Sequence, residues 1–392
     1  MEKHRIYYFL VASVFAFILT ACGGSSSDVT TSDDGSSSDD TSSSDNDSNT
    51  YLMGGSIQGE PLVLTATVST LAGSAGTSGY LDGTGTATLF KNPVQVTTDG
   101  ASLYLADTGN HTIRQIVIAS GEVSTLAGSA GNTGHNDAVG TAALFNTPYG
   151  ITTDGSNLYV SETGNNTIRK IVIATGQVTT IAGSAGDTGS TDGIGTSARF
   201  NIPTAITTDG ENLYVTDTSN HTIRKIVIET GEVATLAGIV GSTGSDDGPG
   251  TVARFNFPYG ITTDGTNLYI GDTANATIRQ LVIATADVTT LAGSPGMTGS
   301  IDDIGANARF MSPEGMTSDG TNLYVPDVSN HTIRKVVIAT REVTTLAGSA
   351  GLSGSTDDIG SAARFYWPQG ITTDGIMLYV AENGNHTIRK VE

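Results

Sequence analysis

One pattern returns along this chain at a fixed interval, and it restricts the available folds more than any other property. Residues 107 to 117 read DTGNHTIRQIV. The pattern comes back as GNNTIRK from Gly164, SNHTIRK from Ser219, ANATIRQ from Ala274, SNHTIRK from Ser329 and GNHTIRK from Gly384. The asparagines fall at 110, 165, 220, 275, 330 and 385, a period of 55 residues without an insertion or deletion. Units repeated in this way share one continuous core with their neighbours, so the 392 residues are not divided by length into independent domains. A feature present six times is read first as architecture and only then as chemistry.

One unit runs from Phe145 to Gly183: FNTPYGITTDGSNLYVSETGNNTIRKIVIATGQVTTIAG. Its segments 150–153, 157–160, 167–174 and 178–181 are rich in Ile, Val, Tyr and Thr and are separated by glycine-containing turn sequences. That composition and spacing predict four antiparallel strands joined by tight turns, and no stretch holds a helical period over ten residues. Six such units predict an all-β fold, a six-bladed propeller of four-stranded blades. An outer-strand sequence, VSTLAG from Val68, precedes the first full set, whereas HTIRKVE at the other end lies in the third strand of the last set. The N-terminal strand is therefore expected to complete the last blade and close the ring, which removes the exposed edges of an open stack.

The run P-x-G-I-T-T-D-G-x-N-L-Y-V-x-D-T-x-N-H-T-I-R-K-I resembles the NHL repeat, and the resemblance extends over residues 60–392. The third letter of that signature is leucine, and threonine stands there in this chain, a residue equally compatible with a strand. The resemblance implies a propeller. It does not fix a function, because the family includes RNA-binding, protein-binding and lyase members.

Ahead of the repeats, Lys3 and Arg5 precede an apolar run from Ile6 to Leu19 that is short for a membrane span, which predicts a signal peptide over 1–21. Leu19-Thr20-Ala21-Cys22 resembles the lipobox of bacterial lipoproteins, which implies a lipid on Cys22 and a membrane anchor; Gly23 after it implies the outer membrane. Cys22 is the only cysteine, so disulfides do not stabilise the fold. Residues 22–59 are rich in Ser and Asp, too polar to build a core, and are expected to form a disordered tether reaching about 35 Å as a flexible coil.

The chain carries 18 basic and 39 acidic residues. Residues 1–59 hold two and eight of these, which leaves the repeats 16 basic against 31 acidic, a formal charge of −15. Such a domain lacks the basic footprint that nucleic acid requires, while cations, neutral ligands and basic proteins remain suitable partners. A monomer is expected.

The recurring polar residues read as structural parts. Aspartates 99, 154, 209, 264, 319 and 374, each followed by glycine, suit the turn between strands one and two. The acids at 107, 162, 217, 272, 327 and 382 suit a brace of the next turn, with arginines 114, 169, 224, 279, 334 and 389 as their partners. Histidines 111, 221, 331 and 386 occupy equivalent turns on different blades and are read as structural or solvent-facing. In the long connections, small residues before Phe90, Phe145, Phe200, Phe255, Phe310 and Phe365 permit one helical turn, and the phenylalanines are expected to fill the groove between blades. Asp82, Asp192, Asp247, Asp302 and Asp357 in these connections are weak candidates for calcium; they lack the spacing of an EF-hand loop, so turn and capping duty is the stronger reading, and no other cofactor is expected. No phosphate-binding loop or nucleophile elbow is present.

Specificity must then lie where the copies disagree. The segments before strand one do: Lys91-Asn92-Pro93-Val94, Asn146-Thr147-Pro148-Tyr149, Asn201-Ile202-Pro203-Thr204, Asn256-Phe257-Pro258-Tyr259, Met311-Ser312-Pro313-Glu314 and Tyr366-Trp367-Pro368-Gln369. Strand one lines the channel of a propeller, so Tyr149, Phe257, Tyr259, Glu314, Tyr366 and Trp367 are the candidate ligand-binding residues at one mouth, suited to a protein, peptide or glycan ligand. Packing of the same aromatics between blades is the competing reading. Two functional classes follow: a non-catalytic binding or scaffold propeller at the cell envelope, with no catalytic residue, or a metal-dependent lyase or hydrolase-like enzyme with its site in the channel.

Overall fold

The computed structural model describes residues 60–392, together with the backbone of two short antiparallel strands, Thr50–Leu52 and Ser56–Gln58. That strand pair falls within the segment read as a tether. The segment 1–21 read as a signal peptide, and Cys22, lie outside the described residues.

Residues 60–392 form six antiparallel sheets arranged as the blades of a ring. The first blade runs Pro93–Thr98, Ser102–Asp107, Thr112–Val117 and Glu122–Ala127 from the inside outwards. The next four repeat this order at the 55-residue period. The sixth combines Pro368–Thr373, Leu378–Glu382 and Thr387–Val391 with Val68–Ala72, whose Val68 and Thr70 pair with Val391 and Arg389. The ring is closed by the N-terminal strand, as the sequence pattern predicts.

The long connections add something that the four-strand pattern does not contain. Gly83–Thr84, Gly193–Ile194, Gly248–Pro249 and Asp303–Ile304 each lie along the outer strand of their blade as a short fifth strand. They satisfy part of an edge that would otherwise present free backbone groups. A single 3-10 turn follows in five of the six connections, for example Gly140–Ala142 before Phe145.

The apolar core lies between blades rather than within them. Phe90, Val96 and Leu103 of the first blade share one cluster with Tyr379, Ala381 and Ile388 of the sixth. The six phenylalanines at the 55-residue period are all fully buried. Over each sits the guanidinium of the arginine from strand three; Arg114 lies 5.0 Å above the Phe90 ring. Arg114 donates to Asp107 Oδ2 at 2.7 Å and to Asp82 Oδ1 at 2.6 Å, and it also reaches the carbonyls of Leu89 and Leu81. Asp82 in turn accepts from the backbone N–H and hydroxyl of Thr125 in the outer strand. One buried arginine thus ties strand two, the long connection and the outer strand together, and every blade carries the same arrangement.

Candidate functional site

Turns set the frame for the site. At the end of each inner strand the aspartate of the Asp-Gly pair accepts from the two backbone N–H groups that follow; in the first blade Asp99 Oδ1 accepts from Ala101 and Ser102, and Tyr104 donates to Oδ2 at 2.8 Å. Up-and-down topology puts the turns between strands two and three at the opposite end, beside the entry of each inner strand. There Asn110 is buried and donates to Asp107 at 2.7 Å and to the Gly79 carbonyl at 2.7 Å. An amide held this way is a turn brace and offers no acceptor position for a glycan.

His111 follows in the left-handed conformation at φ 58°, and His221, His331 and His386 are equivalent at 60°. Each histidine Nδ1 accepts a hydrogen bond from the backbone N–H of a residue at the entry of the next blade: Thr147 at 3.3 Å, Phe257 at 3.2 Å, Trp367 at 3.4 Å and Asn92 at 3.2 Å. At the fifth seam Asn166 Oδ1 does the same for Ile202 at 2.8 Å. The sixth position holds Ala276, which has no acceptor, and Ser312 opposite it donates to Asp327 instead. The histidines are therefore clips across seams. Burial lowers the pKa of all four, which keeps Nδ1 unprotonated as the clip requires.

This geometry separates the six predicted ligand-binding residues into two groups. Phe257 and Trp367 are the donors of those clips, with φ 50°. Phe257 packs edge-on against His221 at 4.6 Å, Tyr366 packs on His331 at 5.7 Å, and Tyr366 stacks on Trp367 at 4.6 Å. Tyr366 and Trp367 thus serve the seam between blades five and six, and Phe257 packs against the apolar cluster holding Val94, Tyr149 and Tyr259. All three make contacts across seams between blades.

Tyr149, Tyr259 and Glu314 do converge in the channel. Equivalent positions 94, 149, 204, 259, 314 and 369 follow the proline that begins each inner strand, and the pairing slips by a residue there in the five regular inner strands. Such bulges re-aim side chains. The Tyr149 and Tyr259 rings meet edge to face at 5.9 Å. Gln369 Nε2 donates to Tyr149 Oη at 2.9 Å and to Glu314 Oε2 at 2.8 Å, joining blades two, five and six across the axis. Gln369 stands in register with the other five positions, but an uncharged, non-aromatic residue gives no chemical signal by itself.

The fifth blade departs from the others at this point. Its inner strand is reduced to Thr317–Ser318 with an isolated bridge from Pro313 to Asp327. Pro326 occupies the strand-two position where Gly271 and Ala381 pair with an inner-strand glycine in their blades. Proline has no N–H to give, so the ladder is broken. Gly315 N–H turns instead to the Gln369 carbonyl of the neighbouring inner strand at 3.1 Å. A Cβ at Gly315 would collide with that carbonyl, so the close approach requires glycine.

Electrostatically the site is acidic and incompletely satisfied. Burial pushes the Glu314 carboxyl up to about 7, the charge of Asp327 adds to this, and hydrogen bonds from Gln369 and Tyr149 pull it back. Burial and the neighbouring Glu314 push both tyrosine hydroxyls well above their ordinary value. Among the described residues the buried Tyr259 hydroxyl and Gln369 Oε1 have no hydrogen-bond partner. Glu314 and Gln95 are half-buried.

The weak calcium candidates are arranged otherwise. Asp82, Asp192, Asp247, Asp302 and Asp357 each hold an arginine Nη2 at 2.5 to 2.8 Å, and they stand on separate blades. Among the described residues no three His, Cys, Asp or Glu side chains gather as a metal set.

The fold is a six-bladed β-propeller, and Tyr149, Tyr259, Glu314 and Gln369 form an asymmetric polar cluster where its inner strands meet. Comparison with known proteins places its repeats. The chain is 27% identical over 337 residues to NHL repeat-containing protein 2 of Homo sapiens and 28% identical over 339 residues to that of Bos taurus, with 76% of this chain covered in each case. These relatives are matched over 46% of their length, so the chain spans about half of each. No family model matches. Among solved structures, it superposes with a TM-score of 0.63 on a protein of unknown function from Bacteroides thetaiotaomicron, at 24% identity and over 83% of this chain and 75% of that one. An auxiliary nutrient binding protein from the same organism gives 0.62 at 17% identity, over 83% and 76%. The chain is thus a six-bladed β-propeller whose repeats are similar to those of NHL repeat-containing proteins.

Proposed function

We propose that the protein is a non-catalytic binding propeller whose ligand site is the channel opening bounded by Tyr149, Tyr259, Glu314 and Gln369. One observation carries the reading: most buried polar atoms without partners among the described residues recur from blade to blade, as the arginine Nε atoms do, whereas Tyr259 Oη and Gln369 Oε1 stand on the axis where the sixfold repetition breaks. Buried polar groups are almost always satisfied, and one that is not is a place for water or a ligand. The propeller fold of a nutrient-binding protein at low identity is consistent with such a role. We further propose that a lipid on Cys22 holds the domain at a bacterial cell envelope, with the segment after it as a spacer.

The test is a binding screen of the purified full chain against saccharides, short peptides and small amines, read by isothermal titration. Hits are expected to lose about tenfold or more in affinity in Tyr149→Ala and Glu314→Gln, and to be unaffected by substitution of exposed His135 in a rim loop. Hits indifferent to both channel variants would refute the site. Anchoring is read separately, as incorporation of labelled palmitate that disappears in Cys22→Ala.

A further inference from the structure

Resting on that reading of the channel, we infer that the site takes a primary ammonium group, the end of a small amine or of a lysine side chain. The argument is an account of donors and acceptors. Gln369 has two N–H donors, and both are used, on Tyr149 Oη and Glu314 Oε2. Tyr149 accepts from Gln369, and its own proton faces Glu314. What remains is mostly acceptor capacity: Gln369 Oε1 and the Tyr259 hydroxyl oxygen, both without partners, and the Glu314 carboxylate, whose lone pairs outnumber its two donors, Gln369 and Tyr149. Three acceptors, one bearing charge, match the three N–H donors of an ammonium.

Charge and shape agree with this. An anion would meet Glu314 and a chain of formal charge −21, whereas a cation is drawn by both. The Tyr149 and Tyr259 rings, set edge to face beside the carboxylate, offer π-electron density of the kind that attracts alkylammonium ions. A divalent metal is a poorer match, because calcium takes roughly six to eight oxygen ligands, several of them carboxylates, and here there is one carboxylate.

The experiment uses the full chain and n-butylammonium chloride as probe, with 1-butanol as the neutral isostere and potassium chloride as the simple cation, by isothermal titration at constant ionic strength. Saturable binding of one n-butylammonium per chain at pH 8 is expected, with neither 1-butanol nor potassium competing. Glu314→Gln should weaken it at least tenfold. Tyr259→Phe, which keeps the ring and removes only an unpartnered oxygen, should weaken it several-fold with an unchanged melting temperature. Between pH 8 and pH 6 affinity should fall in the natural chain as Glu314 takes up a proton, and stay level in Glu314→Gln. The other titratable groups facing Glu314 are Tyr149 and Tyr259, neutral throughout this range, and Asp327, whose contribution persists in the variant. Equal binding of 1-butanol, or n-butylammonium binding unchanged in Glu314→Gln, would overturn the ammonium assignment. If n-butylammonium fails but a saccharide or peptide binds in a manner sensitive to Tyr259→Phe, the ligand class is wrong and the channel site stands; if no probe binds, both fall.

Discussion

The buried arginine of strand three is the residue on which each blade depends most. Arg224 is fully buried, with Asp217 equally buried beside it at 2.7 Å and Asp192 half-exposed on its other side. Burial pushes the Asp217 carboxyl up to about 6 despite Arg224, the Asn201 N–H and Asn220, so it is still ionised at neutral pH. Removing one partner of a buried pair leaves an uncompensated charge, which costs about 3–5 kcal/mol, whereas an exposed ion pair contributes about 1 kcal/mol or less. Arg224→Met is therefore expected to lower the thermal midpoint at pH 7 by many degrees, and Asp192→Asn by few, in a scanning-calorimetry comparison. Equal effects would mean that the inner carboxylate is not the partner that matters. This pairing was readable from sequence because Asp217 and Arg224 recur seven residues apart in register across the units. The role of Gln369 was not, since its importance arises from contacts with Tyr149 and Glu314, 220 and 55 residues away.

Between elements, the seams are the places where one sequence difference changes the chemistry. Four seams rest on a neutral histidine, one on Asn166 and one on neither. A histidine whose folded pKa is lowered contributes stability that is complete above its unfolded value, about 6.5, and is lost as pH falls from there toward the folded value. The buried Asp107, Asp217 and Asp272, raised to about 6, act in the opposite sense: the folded state takes up their protons first, so they add stability as pH falls through 6. A difference between the natural chain and His386→Asn cancels the carboxylates. Asparagine tolerates the left-handed turn and, as at Asn166, supplies an acceptor that does not titrate. The natural chain should lose about 1 kcal/mol relative to His386→Asn between pH 7.5 and pH 5, read from paired melting curves, in keeping with one hydrogen bond. Parallel curves would remove His386 from the role of clip. The histidines had been legible as turn residues, but their acceptor function lies across a seam to the N–H of Asn92, a contact that no period within one repeat specifies. Pro326 was legible in principle: a proline in strand two of one unit alone signals a broken ladder.

For the molecule as a whole, the decisive event is closure, because a ring whose cores lie between blades has no complete core until its first and last strands meet. The segment before Val68 takes part as well. Leu62 N–H donates to Asp319 at 3.1 Å, Leu62 packs into the cluster of the fifth and sixth blades, and Thr67 exchanges backbone hydrogen bonds with Glu392. Without these residues the backbone of Thr387–Val391 would present an unpaired edge next to an apolar seam, a template for pairing with another chain. Deleting residues 60–72 should therefore do more than remove one strand. It should uncouple the sixth blade from the first, broaden the melting transition and shift the protein to larger assemblies than the full chain forms in size-exclusion chromatography. A synthetic peptide spanning residues 60–72, added in excess, should restore the elution volume of the full chain, since it re-forms both the ladder with Thr387–Val391 and the Leu62 contact. If the deleted chain kept the full chain's assembly state and an unchanged, sharp transition, stability would reside in single blades, and the dependence of each unit on its neighbours would be refuted. The same dependence explains why the site can exist at all: five regular inner strands and closed seams hold the ring while the fifth blade's inner strand departs from its ladder, and the departure leaves Glu314 and its unpaired neighbours on the axis.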